Sequence, residues 1–334
     1  MTRRYLILVL ALLPLLLSFF RPDEEPKRTR LVKTVEDSPP EVSERVQKAI
    51  DSGDPSEDDL ILLLPGRKLE GALLPRDTWA HWGLAALSAA AAGLGIVLIF
   101  GVEKKRLREL AAVGAFTGTI GIALLLLVQV AAQASQGMGF NIGGRGAILL
   151  LFIKFIGFSY SAALDSHNGF GASFFGFTCG VGFCEELCKI LPLVWHFRNK
   201  ATLDWRGAMI WGLASGIGFG VSEGITYSSD FYNGVSGVDL YVVRFVSCVA
   251  LHAFWAAASG IVLYERQQTI QGPLSWYEFL PPLLTILAVP MVLHGLYDTL
   301  LKRDMGILAF VAAAASFGWL AFQIEKARRL ERVA

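Results

Sequence analysis

From about residue 80 onward the chain is a succession of apolar runs separated by short polar stretches. The runs cover roughly 80–101, 110–132, 146–163, 170–197, 207–227, 242–264, 279–301 and 306–323. Each approaches the ~20 apolar residues that an α-helix needs to cross the ~30 Å hydrocarbon core of a bilayer. None shows the period-two alternation of short strands. The weakest of the set is 146–163, which is short and contains Lys154. A further apolar run, Tyr5 to Phe20, follows Met1-Thr2-Arg3-Arg4 without a small-x-small cleavage site, so residues 1–20 read as an uncleaved signal anchor. The expected fold is all-α: a polytopic transmembrane helical bundle of about eight to nine spans.

Residues 21–79 break the pattern, being polar, punctuated by proline and mixed in charge, with one short helix expected from Pro40 to Ser52. This extramembrane segment looks too short to bury a useful core. The remainder divides into accessory transmembrane helices over 80–145, a functional core over 146–323 and a basic tail over 324–334.

Composition agrees: 54% hydrophobic residues and a mean hydropathy of +0.50 fit an integral membrane protein embedded in lipid. A net charge of +1, with basic residues placed mostly between apolar runs, offers no face for nucleic acid. The four cysteines, Cys179, Cys184, Cys188 and Cys248, fall inside spans and read as small apolar packing groups.

Charge also bears on orientation. Loop 198–206 carries Arg198, Lys200 and Arg206, and the tail carries Lys326, Arg328, Arg329 and Arg332. Four spans separate them, so they share a face, which the Lys/Arg bias makes cytoplasmic, as in a bacterial cell membrane. Lys104, Lys105, Arg106 and Arg108 lie three spans earlier, which puts a strongly basic loop on the wrong face. Either one segment between 110 and 197 does not cross fully, or the rule fails for this chain.

The chemistry lies where ionisable groups interrupt apolar runs, because charges at membrane depth are expensive and mark function. In Phe183-Cys-Glu185-Glu186-Leu-Cys-Lys189, one ammonium sits within helical reach of two carboxylates. One acid is held ionised by Lys189; the other, desolvated beside a like charge, suits a general acid or base. Glu223 lies on a helix whose glycines 212, 216, 220 and 224 form a ridge for close helix approach, rotated about 20° from Gly216 on an ideal helix. His252 sits within the 242–264 run, where a lone histidine is more often a satisfied core group. His294 and Asp298 are four apart on one face, and an aspartate so placed can fix the tautomer of its histidine or raise its basicity.

These residues occur as Glu-Glu-x-x-Lys at 185–189, Phe-x-x-x-Glu at 219–223, an isolated His252, and His-x-x-x-Asp at 294–298. In that order, over about 170–302, they resemble the PrsW family of intramembrane proteases, relatives of the CAAX prenyl endopeptidases and bacteriocin-immunity proteins. The resemblance implies hydrolysis of a peptide bond in a membrane protein or peptide substrate, with a regulatory, anti-sigma-factor-like target as one form. It implies that Glu185 and Glu186 activate water, that Glu223 and His252 hold that water or a metal, and that His294 with Asp298 stabilises the oxyanion. Gly224 stands where family members often have asparagine.

Two mechanisms fit these residues. A divalent metal such as zinc would take Glu223, His252 and His294 as ligands. A metal-free route would use a glutamate base and histidine oxyanion donors. The rival class is a proton-coupled transporter, which would show inverted repeats between halves that this sequence lacks; a catalytically inactive scaffold is the other alternative.

Overall fold

The computed structural model describes residues 8–20, 25–103, 106–136, 145–199, 202–271 and 275–333. The arginines before the first apolar run, together with Lys104, Lys105 and Lys200, lie outside the described residues. Every regular element among the described residues is helical. Seven helices are long and apolar enough to cross a membrane, with a shorter apolar one at the N-terminus. In chain order these are α1 (Leu8–Ser18), α5 (Ala80–Phe100), α6 (Leu107–Ser135), α7 (Arg145–Leu164), α9 (Trp205–Tyr232), α10 (Val238–Glu265), α11 (Trp276–Lys302) and α12 (Gly306–Val333). The charged segment 170–199 forms α8, one helical rod with a π-helical turn at Phe177–Gly182. All eight spans expected from residue 80 onward are therefore helices, and the polytopic bundle stands.

The N-terminal run is more than an anchor. Leu12 and Leu15 of α1 are almost fully buried and join the core built by α9, α10 and α12.

Residues 25–76 correct the expectation of a coreless tether. They fold into a cap of three helices, α2 (Lys27–Glu36), α3 (Pro40–Ser52) and α4 (Glu57–Leu63), the second with the expected bounds. Ser56 and Asp59 close a capping box at the start of α4. Leu31, Val42, Val46, Ile61, Leu64 and Leu69 form a small core, completed by Val235 from the loop between α9 and α10. Backbone hydrogen bonds clamp that loop to the cap: Leu69 N–H to Gly234 O (2.9 Å), Gly234 N–H to Leu74 O (3.0 Å) and Leu73 N–H to Ser236 O (2.8 Å). A segment too short to be stable alone borrows a partner surface.

At the opposite end Arg206 pairs with Glu331 at 2.8 Å, placing the start of α9 beside the C-terminal tail as the charge count required. The paradox of the 104–108 loop also resolves. Helix α6 runs parallel to α9, with Gly114 beside Ala214, Gly118 beside Gly218, and Thr117 Oγ1 2.7 Å from Ser215 Oγ. Arg106 and Arg108 thus lie at the tail end, with Arg206 and the arginines of the tail. The segment that departs from an upright crossing is α7. It packs antiparallel to α6, through Gln129–Tyr160 and Gln136–Lys154, and antiparallel to α8, through Gly176 beside Ala163 and Gly180 beside Ser159. Helices α6 and α8 themselves run in opposite directions, so a helix opposed to both crosses them steeply.

The innermost pair is α9 and α10. A methyl group at Gly212 or Gly216 would collide with the backbone of Ala256 or His252, so the glycine ridge brings the two helices into backbone contact. This closeness sets Glu223 opposite His252.

Candidate active site

Four helices, α8, α9, α10 and α11, bring the charged groups together around Lys189, a lysine with no exposed surface. Its Nζ lies 2.6 Å from Glu186 Oε1, 2.7 Å from His252 Nδ1 and 3.7 Å from Glu185 Oε2, and sits 4.5 Å from the centre of the Phe219 ring. An ammonium has only donors, so His252 accepts at Nδ1, carries its proton on Nε2 and donates it to Glu223 Oε2 at 2.6 Å. The other oxygen of Glu223 meets Arg244 Nη2 at 2.6 Å. Across the site, His294 Nδ1 lies 3.0 Å from Glu186 Oε1, its Nε2 lies 3.6 Å from Glu185 and 3.4 Å from Asp298, and its ring stacks on Trp255 at 4.3 Å.

The chain of contacts runs Arg244, Glu223, His252, Lys189, Glu186, His294, and ends on Glu185 and Asp298. All seven expected site residues belong to it. The structure separates the two adjacent glutamates, which the sequence left equivalent. Glu186 is the acid held by Lys189, and it also fixes His294 through Nδ1, so the histidine's Nε2 faces outward. Glu185 borders a cavity of about 870 Å³ together with Glu223, Arg244, His252, His294 and Asp298. Its Oε2 makes no hydrogen bond, as is also true of Glu186 Oε2, and stands at ion-pair distance from Lys189 and His294.

Arg244 is the residue the sequence reading missed. It is buried at the first π-helical turn of α10, with its guanidinium 3.9 Å from the Tyr227 ring. The available signal was a cation inside the 242–264 apolar run, on the helix of His252. Its pairing with Glu223 changes the expected ligand set. Glu185, His252 and His294 offer atoms all within 4.8 Å of one another, whereas Glu223 is engaged by a guanidinium and an imidazole.

The donor set fits a divalent metal. Glu185 Oε2 and His294 Nε2 lie 3.6 Å apart beside the cavity, and Glu186 behind His294 supplies the carboxylate support typical of metal-bound histidines. His252 would have to release Glu223 or Lys189 to join them. Four carboxylates against Lys189 and Arg244 leave an excess of negative charge that a divalent cation, or protons, would balance.

Searches of curated proteins and of solved structures return no match for the chain. The match that exists is to a family: the model of the PrsW family intramembrane metalloproteases aligns with residues 137–322, from just before α7 into the second half of α12, and so takes in every residue of this site. That span exceeds half of the 334-residue chain, and this integral membrane protein therefore belongs to the PrsW family of intramembrane proteases.

Proposed function

We propose that the chain hydrolyses a peptide bond in a membrane-protein substrate, with Glu185 as the carboxylate that handles the water's proton. The single observation behind this assignment is the asymmetry around Lys189. Glu186 is fully enclosed, paired with Lys189 at 2.6 Å and bonded to His294, while Glu185 stands 3.7 Å from the same ammonium and borders the cavity.

Glu185 takes a proton from the attacking water and returns it to the leaving amide nitrogen. Without a metal, His294, held by Glu186 and stacked on Trp255, presents Nε2–H to the developing oxyanion as an imidazolium, with Asp298 beside it; with a metal, the unprotonated Nε2 would serve as a ligand instead. Lys189 keeps Glu186 ionised and fixes His252, and Arg244 does the same for Glu223. Glu185, His252 and His294 would hold a divalent metal such as zinc, which when bound would polarise the scissile carbonyl and acidify a bound water. The excess of carboxylates over cations in the site favours that version over a metal-free one.

The basic face formed by Arg106, Arg108, Arg206 and the tail is taken as cytoplasmic, which puts the cap on the outer side of a bacterial cell membrane. The substrate is then a membrane protein cut near its outer end, a regulatory anti-sigma-like protein being one form. The test is cleavage of a co-reconstituted single-span substrate by wild type, Glu185→Gln and Glu186→Gln, with metal analysis of the purified proteins. Full cleavage by Glu185→Gln would sink the assignment.

A further inference from the structure

The mouth of the catalytic cavity is lined in part by the chain's own N-terminal helix. Leu15, Ser18 and Phe19 face the same cavity as Glu185, His252, His294 and Asp298. Helix α1 is not a regular helix: it turns at residues 11–12 and resumes at Leu13, with Pro14 in its first turn. In an unbroken helix Leu15 N–H would bond to Ala11 C=O. Here the hydroxyl of Ser247 stands between them, accepting from Leu15 N–H at 3.2 Å and donating to Ala11 C=O at 2.8 Å. Ser247 is fully buried in the π-helical turn of α10, three residues after Arg244 and five before His252. The site-bearing helix thus binds and satisfies an opened hydrogen bond in another membrane helix.

An intramembrane protease must do this to its substrate. A regular helix keeps every peptide group in its own hydrogen bonds, and at membrane depth an opened pair is tolerable only where another group satisfies it. We propose that α1 occupies, in cis, the docking surface for a substrate's transmembrane helix, and that the partner this surface fits is a single apolar helix broken by proline, whose opened i, i+4 pair Ser247 receives. The proposal rests on the proteolytic reading above for the purpose of the docking, but its geometry is independent of the chemistry. Besides Leu12, Leu15 and the Ser247 bonds, α1 is held by Phe19, which lies against Gly306 at the start of α12; a methyl on Gly306 would collide with the phenyl ring. The substrate displaces α1, and the fraction of molecules with the mouth open scales the apparent affinity.

The experiment uses full-length protein in micelles, a fluorescent peptide of residues 8–20 as probe, and two ways of loosening α1: Phe19→Ala and Gly306→Ala. Both variants are expected to bind the peptide at least about fivefold more tightly than wild type, because the competing segment has been released. Alkylation of Cys248, which also lines the cavity, should accelerate in both by a similar factor, read by mass spectrometry at that residue. Adding Ser247→Ala to either variant should reverse the gain in peptide binding. Equal peptide affinity in wild type and both variants overturns the proposal, and so does a gain that Ser247→Ala leaves intact. Neither readout needs turnover, so a chain that cleaves nothing would refute the hydrolase reading while the docking result stood separately.

Discussion

Helices α5 and α10 are nearly matched in hydropathy, at 2.2 and 1.8 over their most apolar windows, yet they sit in different surroundings. Helix α10 is enclosed by protein along almost its whole length, from Arg244 to Leu263. Helix α5 buries few side chains and turns Leu87, Leu94 and Leu98 outward. Apolarity therefore says that a segment belongs in the membrane and nothing about whether lipid or protein covers it. What separates the two is the partner. The glycines of α9 let α10 approach to backbone contact, and only inside that contact can Arg244, Glu223, His252 and Lys189 satisfy one another. Glycines 83, 93 and 95 of α5 face open space.

The sharpest way to strain this contrast is at the site itself. Glu185→Gln should lower cleavage by about 10²–10⁴-fold, the range of one lost acid–base group, with thermal unfolding little changed. Arg244→Met leaves Glu223 as a buried, half-compensated charge and should destabilise the protein by about 3–5 kcal/mol in a reversible unfolding assay. Arg244→Met combined with Glu223→Leu should recover most of that loss while activity stays low, because His252 loses the group that accepts from its Nε2. Gly216→Ala should cost about 1–3 kcal/mol through overpacking against His252, whereas Gly93→Ala on α5 should stabilise by up to about 1 kcal/mol through helix propensity alone. Smallest of all, Leu98→Ala, at a side chain 73% exposed, should fall within about 0.5 kcal/mol of wild type. If Gly216→Ala and Gly93→Ala behaved alike, the distinction between the two helices would collapse.

The spans were legible because twenty-odd apolar residues in a row admit few alternatives. The site residues were legible because each is an ionisable group where solvation penalises it, from Glu185 to Asp298. Which glutamate pairs with Lys189 was not legible. Both lie within helical reach, and the choice depends on Glu186 having His294 on its other side. Arg244 escaped notice for a related reason: a cation near the end of an apolar run is usually read as snorkelling, and only the fold shows it turned inward onto Glu223. The core of the cap was hidden because it is closed by Val235, distant in sequence, and the inclination of α7 because hydropathy carries no angle.

The tilt of α7 bears on how a hydrolase obtains its second reactant. Where this helix slants across its neighbours, α6 presents Gln129, Gln133 and Gln136 to the cavity, with Tyr160 and Ser161 of α7 beside them. Three amides on successive turns make a wettable strip leading toward Glu185 from the cap end, in a bundle whose other outer faces are greasy. The row of amides thus gives solvent a polar route to the carboxylate from the cap end.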